Sequence, residues 1–332
     1  MPLTALRRVH RGTFVAAGAA LLALTGTIGA CAKPRPVPLS VHLQGVPRIL
    51  RVPPELIRNA DGTPLGVQVN YADAFYGITA PALERWGVDI RLVIEPAYVA
   101  AIILKQSAYD TLAVSPGGAL GLAQLTAATD AELREQSTFY PWMAAEVASW
   151  PRDPAVHGTG EGAPLSAAAI RARIAAGTLT ARNEYLLDAE RSARAAMLWV
   201  KLLQTRWTRA DFPGSYAAFA RQTLAAGGTP TDDQILDLVT VSYRRGHAWT
   251  RSAVERLGRD WVRRLPELGA EGADAADFLE RVRFYTRLLG GDPTAYEQVQ
   301  RNQPPRPPAA PPGGAGTPPP LRLTPSASPA GG

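Results

Sequence analysis

The residues whose types and spacing bear on chemistry fall in one stretch, residues 100–126. The apolar run Ala100-Ala101-Ile102-Ile103-Leu104 leads into Lys105-Gln106-Ser107, and a loop carrying Asp110, Ser115, Gly117, Gly118 and Gly121 leads on to Gln124. The spacing predicts a helix over 96–106, opened by Pro96 in its first turn, so Gln106 stands where that helix meets the loop. Glycines in such a loop let the backbone approach a ligand closely. The carboxamides of Gln106 and Gln124 donate and accept hydrogen bonds but do not exchange a proton in the physiological range. Proton transfer therefore needs a carboxyl from elsewhere. Glu95 lies about 16 Å from Gln106 along a helix axis, which is too far. Asp110 is the nearest acid in sequence; it is also a good loop-capping residue. Glu132 and Glu135 read as solvated acids in the first turn of the next helix.

The elements that must hold these residues are helical almost throughout. Apolar residues recur three or four apart over 71–86, 96–106, 131–150 with a break at Pro141, 167–175, 189–206, 215–226, 232–245, 250–264 and 275–289. Ser166 and Asp188 are candidate N-caps, and Thr231-Asp232-Asp233 opens a helix that ends near Gly246. Long β-alternation and βαβ units are missing, which leaves an all-α body. Trp142, Trp150, Trp199, Trp207, Trp249 and Trp261 lie on or beside these helices. They suit core and helix-crossing positions, with sugar-stacking platforms as the other use of such side chains.

The stretch from Ser107 to Gln124 closely resembles the first two motifs of the soluble lytic transglycosylases, of the lysozyme-like superfamily. In that family an apolar helix ends in Glu-Ser, and a short loop leads to Ala-x-Ser-x-x-Gly-Ala-x-Gly-Leu-Met-Gln. Ser107, Ala113, Ser115, Gly118, Ala119, Gly121, Leu122 and Gln124 stand in register with it. The segment 188–196 resembles the helix after the second motif. Val241-Ser242-Tyr243-Arg244-Arg245-Gly246 stands where the family has Ala-Tyr-Asn-x-Gly, with Arg244 in place of the asparagine. Residues 283–287 resemble, more faintly, a late Tyr-bearing helix. The likeness covers roughly 68–290, interrupted by an extra segment at about 131–187 that is longer than an ordinary connection. It implies an all-α, lysozyme-like single domain with a cleft, peptidoglycan glycan strands as ligand, and substrate-binding positions at Ser107, Ser115, Gly118, Gly121, Gln124 and Tyr243.

The same resemblance puts Gln106 at the position of the family's one catalytic glutamate. That glutamate protonates the oxygen leaving the MurNAc-GlcNAc bond and then takes the proton from the C6 hydroxyl, leaving a 1,6-anhydro end. Glutamine keeps the shape but not the proton, and general acid–base assistance contributes about 10²–10⁴ in rate. Three readings follow: a catalytically impaired peptidoglycan-binding protein, an active transglycosylase whose acid has moved to Asp110 or to the extra segment, or a structural envelope protein.

The ends of the chain differ from its middle. Arg7, Arg8 and Arg11 precede an apolar run from Phe14 to Ala30, and Ile28-Gly29-Ala30-Cys31 resembles the lipobox of bacterial lipoproteins. This predicts a signal peptide over 1–30, lipidation at Cys31 and a cell-envelope address on a membrane; an uncleaved membrane anchor is the alternative. Cys31 is the only cysteine, so the body holds no disulfide. The four histidines are scattered, and neither a metal site nor a cofactor is expected. Removing the leader arginines lowers the net charge from +6 to +3. That surplus suits an anionic wall or membrane surface and lacks the basic run of a nucleic-acid binder. Residues 31–67 read as a proline-rich tether, 68–292 as the helical domain, and 293–332 as a short helix and a Pro/Gly-rich tail, which from Gln303 onward holds eleven of the 30 prolines. The envelope address and the resemblance together make cell-wall enzymes the candidate protein partners.

Overall fold

The computed structural model describes residues 49–51, 68–70, 86, 94–159, 162–290, 292, 294 and 295. Cys31 and its leader, the predicted helix 71–86 apart from Trp86, and the tail beyond Ala295 lie outside the described residues.

Two short strands, β1 (Ile49–Arg51) and β2 (Gln68–Asn70), pair antiparallel with Ile49 opposite Asn70 and Arg51 opposite Gln68. The proline-rich stretch 31–67, read from sequence as irregular, thus contributes a strand. Everything else described is helix, turn or loop, and the body is all-α.

Helix α1 (Pro96–Ser107) is the centre. Its residues 99–103 are fully buried, because it is apolar on every face and so must be surrounded. Pro96 sits in its first turn, and the helix stops at Ala108, whose left-handed φ of 51° lets its N–H donate back to Leu104 O at 2.9 Å. Tyr109 follows at φ 62°, a second left-handed residue held by burial of its ring and by its hydroxyl donating to Ala100 O at 3.0 Å.

Next come α2 (Ala127–Ser137) and α3 (Pro141–Ala148), with the break at Pro141 that the sequence predicts. Helix α2 begins four residues earlier than periodicity suggests because Thr126 caps it, accepting from Thr129 N at 3.2 Å. Short α4 (Pro154–His157) and α5 (Ala167–Ala175, capped by Ser166) precede a 3₁₀ turn at Tyr185–Leu187. Then follow α6 (Ala189–Thr208, capped by Asp188), α7 (Ala217–Ala225) and α8 (Asp232–Arg245). Thr231 and Gln234 form a reciprocal capping box at the start of α8.

The helix expected over 250–264 is divided. Helix α9 (His247–Leu257) stops at Gly258, a 3₁₀ turn follows, and only Trp261–Arg264 (α10) is again α-helical. After a further 3₁₀ turn at Leu265–Leu268, α11 (Ala270–Leu289) runs along α1, its principal partner. It starts five residues before the predicted 275 because glycines hide its first turn. At Gly272 a Cβ would lie 1.9 Å from Leu265 O, so a close approach requires glycine there.

Helices α6 and α8 complete the wrapping of α1. Tyr98 of α1 places its hydroxyl 2.7 Å from Thr240 Oγ1 of α8, and Trp207 of α6 donates to Ser242 Oγ at 3.1 Å. Trp86, Trp150, Trp199, Trp207 and Trp261 are all buried, as core residues should be.

Candidate active site

Gln106 occupies the last turn of α1 and is half-buried. Its two neighbours are committed to the scaffold. Lys105 pairs with Asp277 of α11 at 3.2 Å; burial pulls its ammonium below the usual lysine range, with Asp277 opposing. Ser107 is buried and its hydroxyl donates to Ile103 O at 3.1 Å, one turn back in its own helix. The Gln106 carboxamide makes no hydrogen bond among the described residues, which leaves it available to a ligand.

The loop after α1 is a folded unit rather than an open lariat. Asp110 is exposed and its Oδ1 accepts from Leu112 N at 2.8 Å, the geometry of a loop-capping aspartate. Ser115 and Ala119 close a turn: Ser115 N donates to Ala119 O, and Ala119 N donates to Ser115 Oγ, both at 2.9 Å. Gly118 sits inside that turn at φ 80°. Gln124, itself left-handed at φ 50°, turns its side chain inward, and Nε2 donates to Ala113 O at 3.0 Å and Gly121 O at 2.8 Å.

Three neighbouring elements grip this loop. Gly121 lies against the 3₁₀ turn so closely that a Cβ would stand 1.8 Å from Leu186 O. From α6, Ser192 accepts from Ala123 N at 3.1 Å. From α8, the buried Tyr243 donates its hydroxyl to Ala123 O at 2.7 Å, and burial pushes this phenol well above its ordinary range. Arg171 of α5 adds a fourth contact, donating to Val114 O at 2.7 Å. The structure therefore brings Ser115, Gly118, Gly121, Gln124 and Tyr243 together. The Ser107 hydroxyl, the Ser115 Oγ, the Gln124 amide nitrogen and the Tyr243 hydroxyl are all engaged within the protein, so these residues build the loop.

The segment 131–187 backs this site. Fully buried Asp130, at its edge, accepts from Tyr185 Oη at 2.7 Å and pairs with Arg134 Nε at 3.1 Å and Arg152 Nη2 at 2.7 Å. Fully buried Glu184 lies 2.9 Å from His157 Nε2 and accepts from the backbone N–H of Asp153 and Leu186, each at 3.2 Å. Buried charges paired in this way tie the segment together from α2 to the 3₁₀ turn.

Glu132 is not the solvated acid that its place in the first helical turn suggests. It accepts from His247 Nε2 and Arg206 Nη2, both at 2.8 Å, linking α2 to α9 and α6. Burial pushes its carboxyl up, but the His247 hydrogen bond and the charges of His247 and Arg206 outweigh that and hold it below the usual range. A carboxyl held ionised is a poor general acid.

Sequence reading also missed a ladder on α11. Glu271, Asp274 and Asp277, three residues apart, receive Arg245, Arg244 and Lys105 in turn. Arg244, at the place of the family's asparagine, binds Asp274 through Nε at 2.8 Å and Nη2 at 2.7 Å and lies over the Phe278 ring. Burial raises the Asp274 carboxyl, and the Arg244 hydrogen bonds together with the charges of Arg244, Arg245 and Lys105 more than reverse this, holding it below the usual range. The i, i+3 spacing of the acids was visible, but such spacing also marks a plain solvated face.

Among the described residues no group of three or more His, Cys, Asp or Glu side chains could hold a metal ion. An all-α body with a buried helix ending at Gln106, followed by this glycine-bearing loop, is the layout expected of a lysozyme-like, lytic-transglycosylase-like domain, whose function is peptidoglycan-related. Residues 91–151 match the family model of the transglycosylase SLT domain, a span that includes Gln106, the loop and α2–α3 and agrees with the resemblance carried by Ser107–Gln124. No curated protein and no solved structure matches the chain.

Proposed function

We propose that the chain is an exported peptidoglycan-binding lipoprotein whose SLT domain holds glycan strands without ordinary acid catalysis. The observation that carries this reading is Gln106: a carboxamide at the helix end, with no partner among the described residues, where the family has its glutamate. The nearby acids do not replace it. Asp110 caps its own loop, and Glu132 is held ionised by His247 and Arg206. A carboxamide offers a donor and an acceptor to the acetamido and hydroxyl groups of an amino-sugar, so binding survives where proton transfer does not. Lipidation at Cys31 would hold the domain at a membrane facing the wall, where it would position or regulate enzymes acting on the same strands.

The test compares wild type with Gln106→Glu on purified peptidoglycan. Wild type is expected to co-sediment with it and release no anhydro-muropeptide, whereas Gln106→Glu gains about 10²–10⁴ in release rate. Release of anhydro product by the wild type, lost in Asp110→Asn, would establish the relocated-acid enzyme instead. Loss of acyl incorporation in Cys31→Ala tests the anchor.

A further inference from the structure

We infer that His157 is a pH-sensitive latch: when protonated, its imidazole joins the buried carboxylates of Asp130 and Glu184 and so seats the backbone on which the motif loop rests. This goes beyond the glycan-binding reading and does not depend on it. His157 ends α4, and its side chain is 1% exposed. Nε2 lies 2.9 Å from Glu184 Oε2, whereas Nδ1 lies 3.3 Å from Asp130 Oδ2 and makes no hydrogen bond. A neutral imidazole has one N–H. With that N–H given to Glu184, the Nδ1 lone pair is left buried against a carboxylate oxygen, a repulsive contact. A second proton, on Nδ1, turns the repulsion into attraction and supplies the missing donor.

Charges around the ring act on that proton in both directions. Arg134 and Arg152 both pair with Asp130, and Arg173 pairs with Asp153, whose backbone carbonyl accepts from the His157 N–H. Glu184 has His157 as its one basic ion-pair partner among the described residues. The Tyr185 ring stacks 6.1 Å from the imidazole, and its hydroxyl is given to Asp130. The two carboxylates therefore draw the second proton in, and Arg134 and Arg152 oppose it. Histidine changes charge between about pH 5 and 8, so the latch closes at the acid end of that interval and opens at the other. Two contacts carry its state to the motif loop. Glu184 Oε1 accepts from Leu186 N at 3.2 Å, and Leu186 O is the atom packed against Gly121. Ala155 O of α4 accepts from Leu165 N at 3.0 Å, and Leu165 O faces Gly118.

The test is urea unfolding of the mature protein between about pH 5 and 8, as wild type and His157→Gln, so that every other titrating group cancels in the difference. Nitrogen NMR of the wild-type imidazole and hydrogen exchange of residues 113–125, corrected for the intrinsic effect of pH, accompany it. The expected advantage of wild type over His157→Gln, as a ratio of unfolding equilibrium constants, is roughly five- to tenfold greater at the acid end than at the alkaline end. His157 should show two protonated ring nitrogens at the acid end and one at the alkaline end, and residues 113–125 should exchange faster as the proton leaves. Parallel pH profiles of the two proteins would overturn the inference, as would a His157 whose protonation is constant across the interval. Should His157→Gln not fold, the wild type decides alone: exchange of the loop that does not follow the loss of the Nδ1 proton overturns the latch. None of these readouts uses a glycan, so their failure leaves the Gln106 reading intact, and failure to bind peptidoglycan leaves the latch intact.

Discussion

Replacing Gly121 by alanine perturbs the one point where the motif loop has no room. The new Cβ would stand 1.8 Å from Leu186 O and 3.2 Å from Ser192 Oγ, on a backbone at φ 69°. Holding an L-residue in the left-handed region costs about 1–2 kcal/mol. Forcing a methyl group into closed packing costs about 1–3 kcal/mol more. The expected loss is therefore about 2–5 kcal/mol, a large part of the 5–15 kcal/mol typical of a folded domain. Gly118→Ala is the internal control: its φ of 80° carries the same conformational cost, but the nearest atom to its Cβ is Leu165 O at an ordinary 3.9 Å. Urea unfolding followed by tryptophan fluorescence should put Gly121→Ala below Gly118→Ala by about 1–3 kcal/mol, the overpacking cost alone. Equal stabilities would show that the 3₁₀ turn yields, and would refute the claim that Leu186 fixes the loop.

Two further outcomes follow from the same geometry. Tyr243→Phe leaves the buried Ala123 carbonyl without its donor and should cost about 1–3 kcal/mol in the same unfolding experiment, lowering glycan binding through the loop rather than through a lost ligand contact. Glu132, with its folded-state pKa held below the unfolded value of about 4.3, contributes stability that is complete above that value. This contribution disappears as pH falls through the lower, folded value. Stability against pH should therefore decline less steeply on the acid side in Glu132→Gln than in wild type, and parallel acid limbs would refute the pairing with His247 and Arg206.

The parts of the fold legible in the sequence were those with local causes. Helix α8 was readable from Thr231 to Gly246 because its cap, its period and its stop all lie within one stretch. The same holds for α5, capped by Ser166, and for the break at Pro141. Boundaries failed where a distant contact chose the residue. Gly272 reads as a helix breaker until the Leu265 carbonyl is seen against it, and Gly258 divides a pattern whose apolar spacing continues past it.

The candidate site divides in the same way. Its type was set by the sequence alone: a helix end carrying Gln106, a loop whose glycines sit at fixed spacing, and the substitution of a carboxamide for a carboxyl, since these are covalent facts. What each polar side chain does was decided by tertiary structure, because a hydroxyl or an amide acts through whichever partner the fold brings within 3 Å or so. Ser107, Gln124 and Tyr243 looked like ligand groups and are engaged by Ile103, Ala113 and Ala123. Glu132 looked solvated, yet α6 and α9 close on it with Arg206 and His247. Asp277 was only an acid on a predicted helix, and Glu271 and Asp274 lay ahead of its predicted start, until the ends of α1 and α8 reached all three. Gln106 is the case where the two agree: the sequence supplied a group that cannot transfer a proton, and the fold left it without a partner among the described residues.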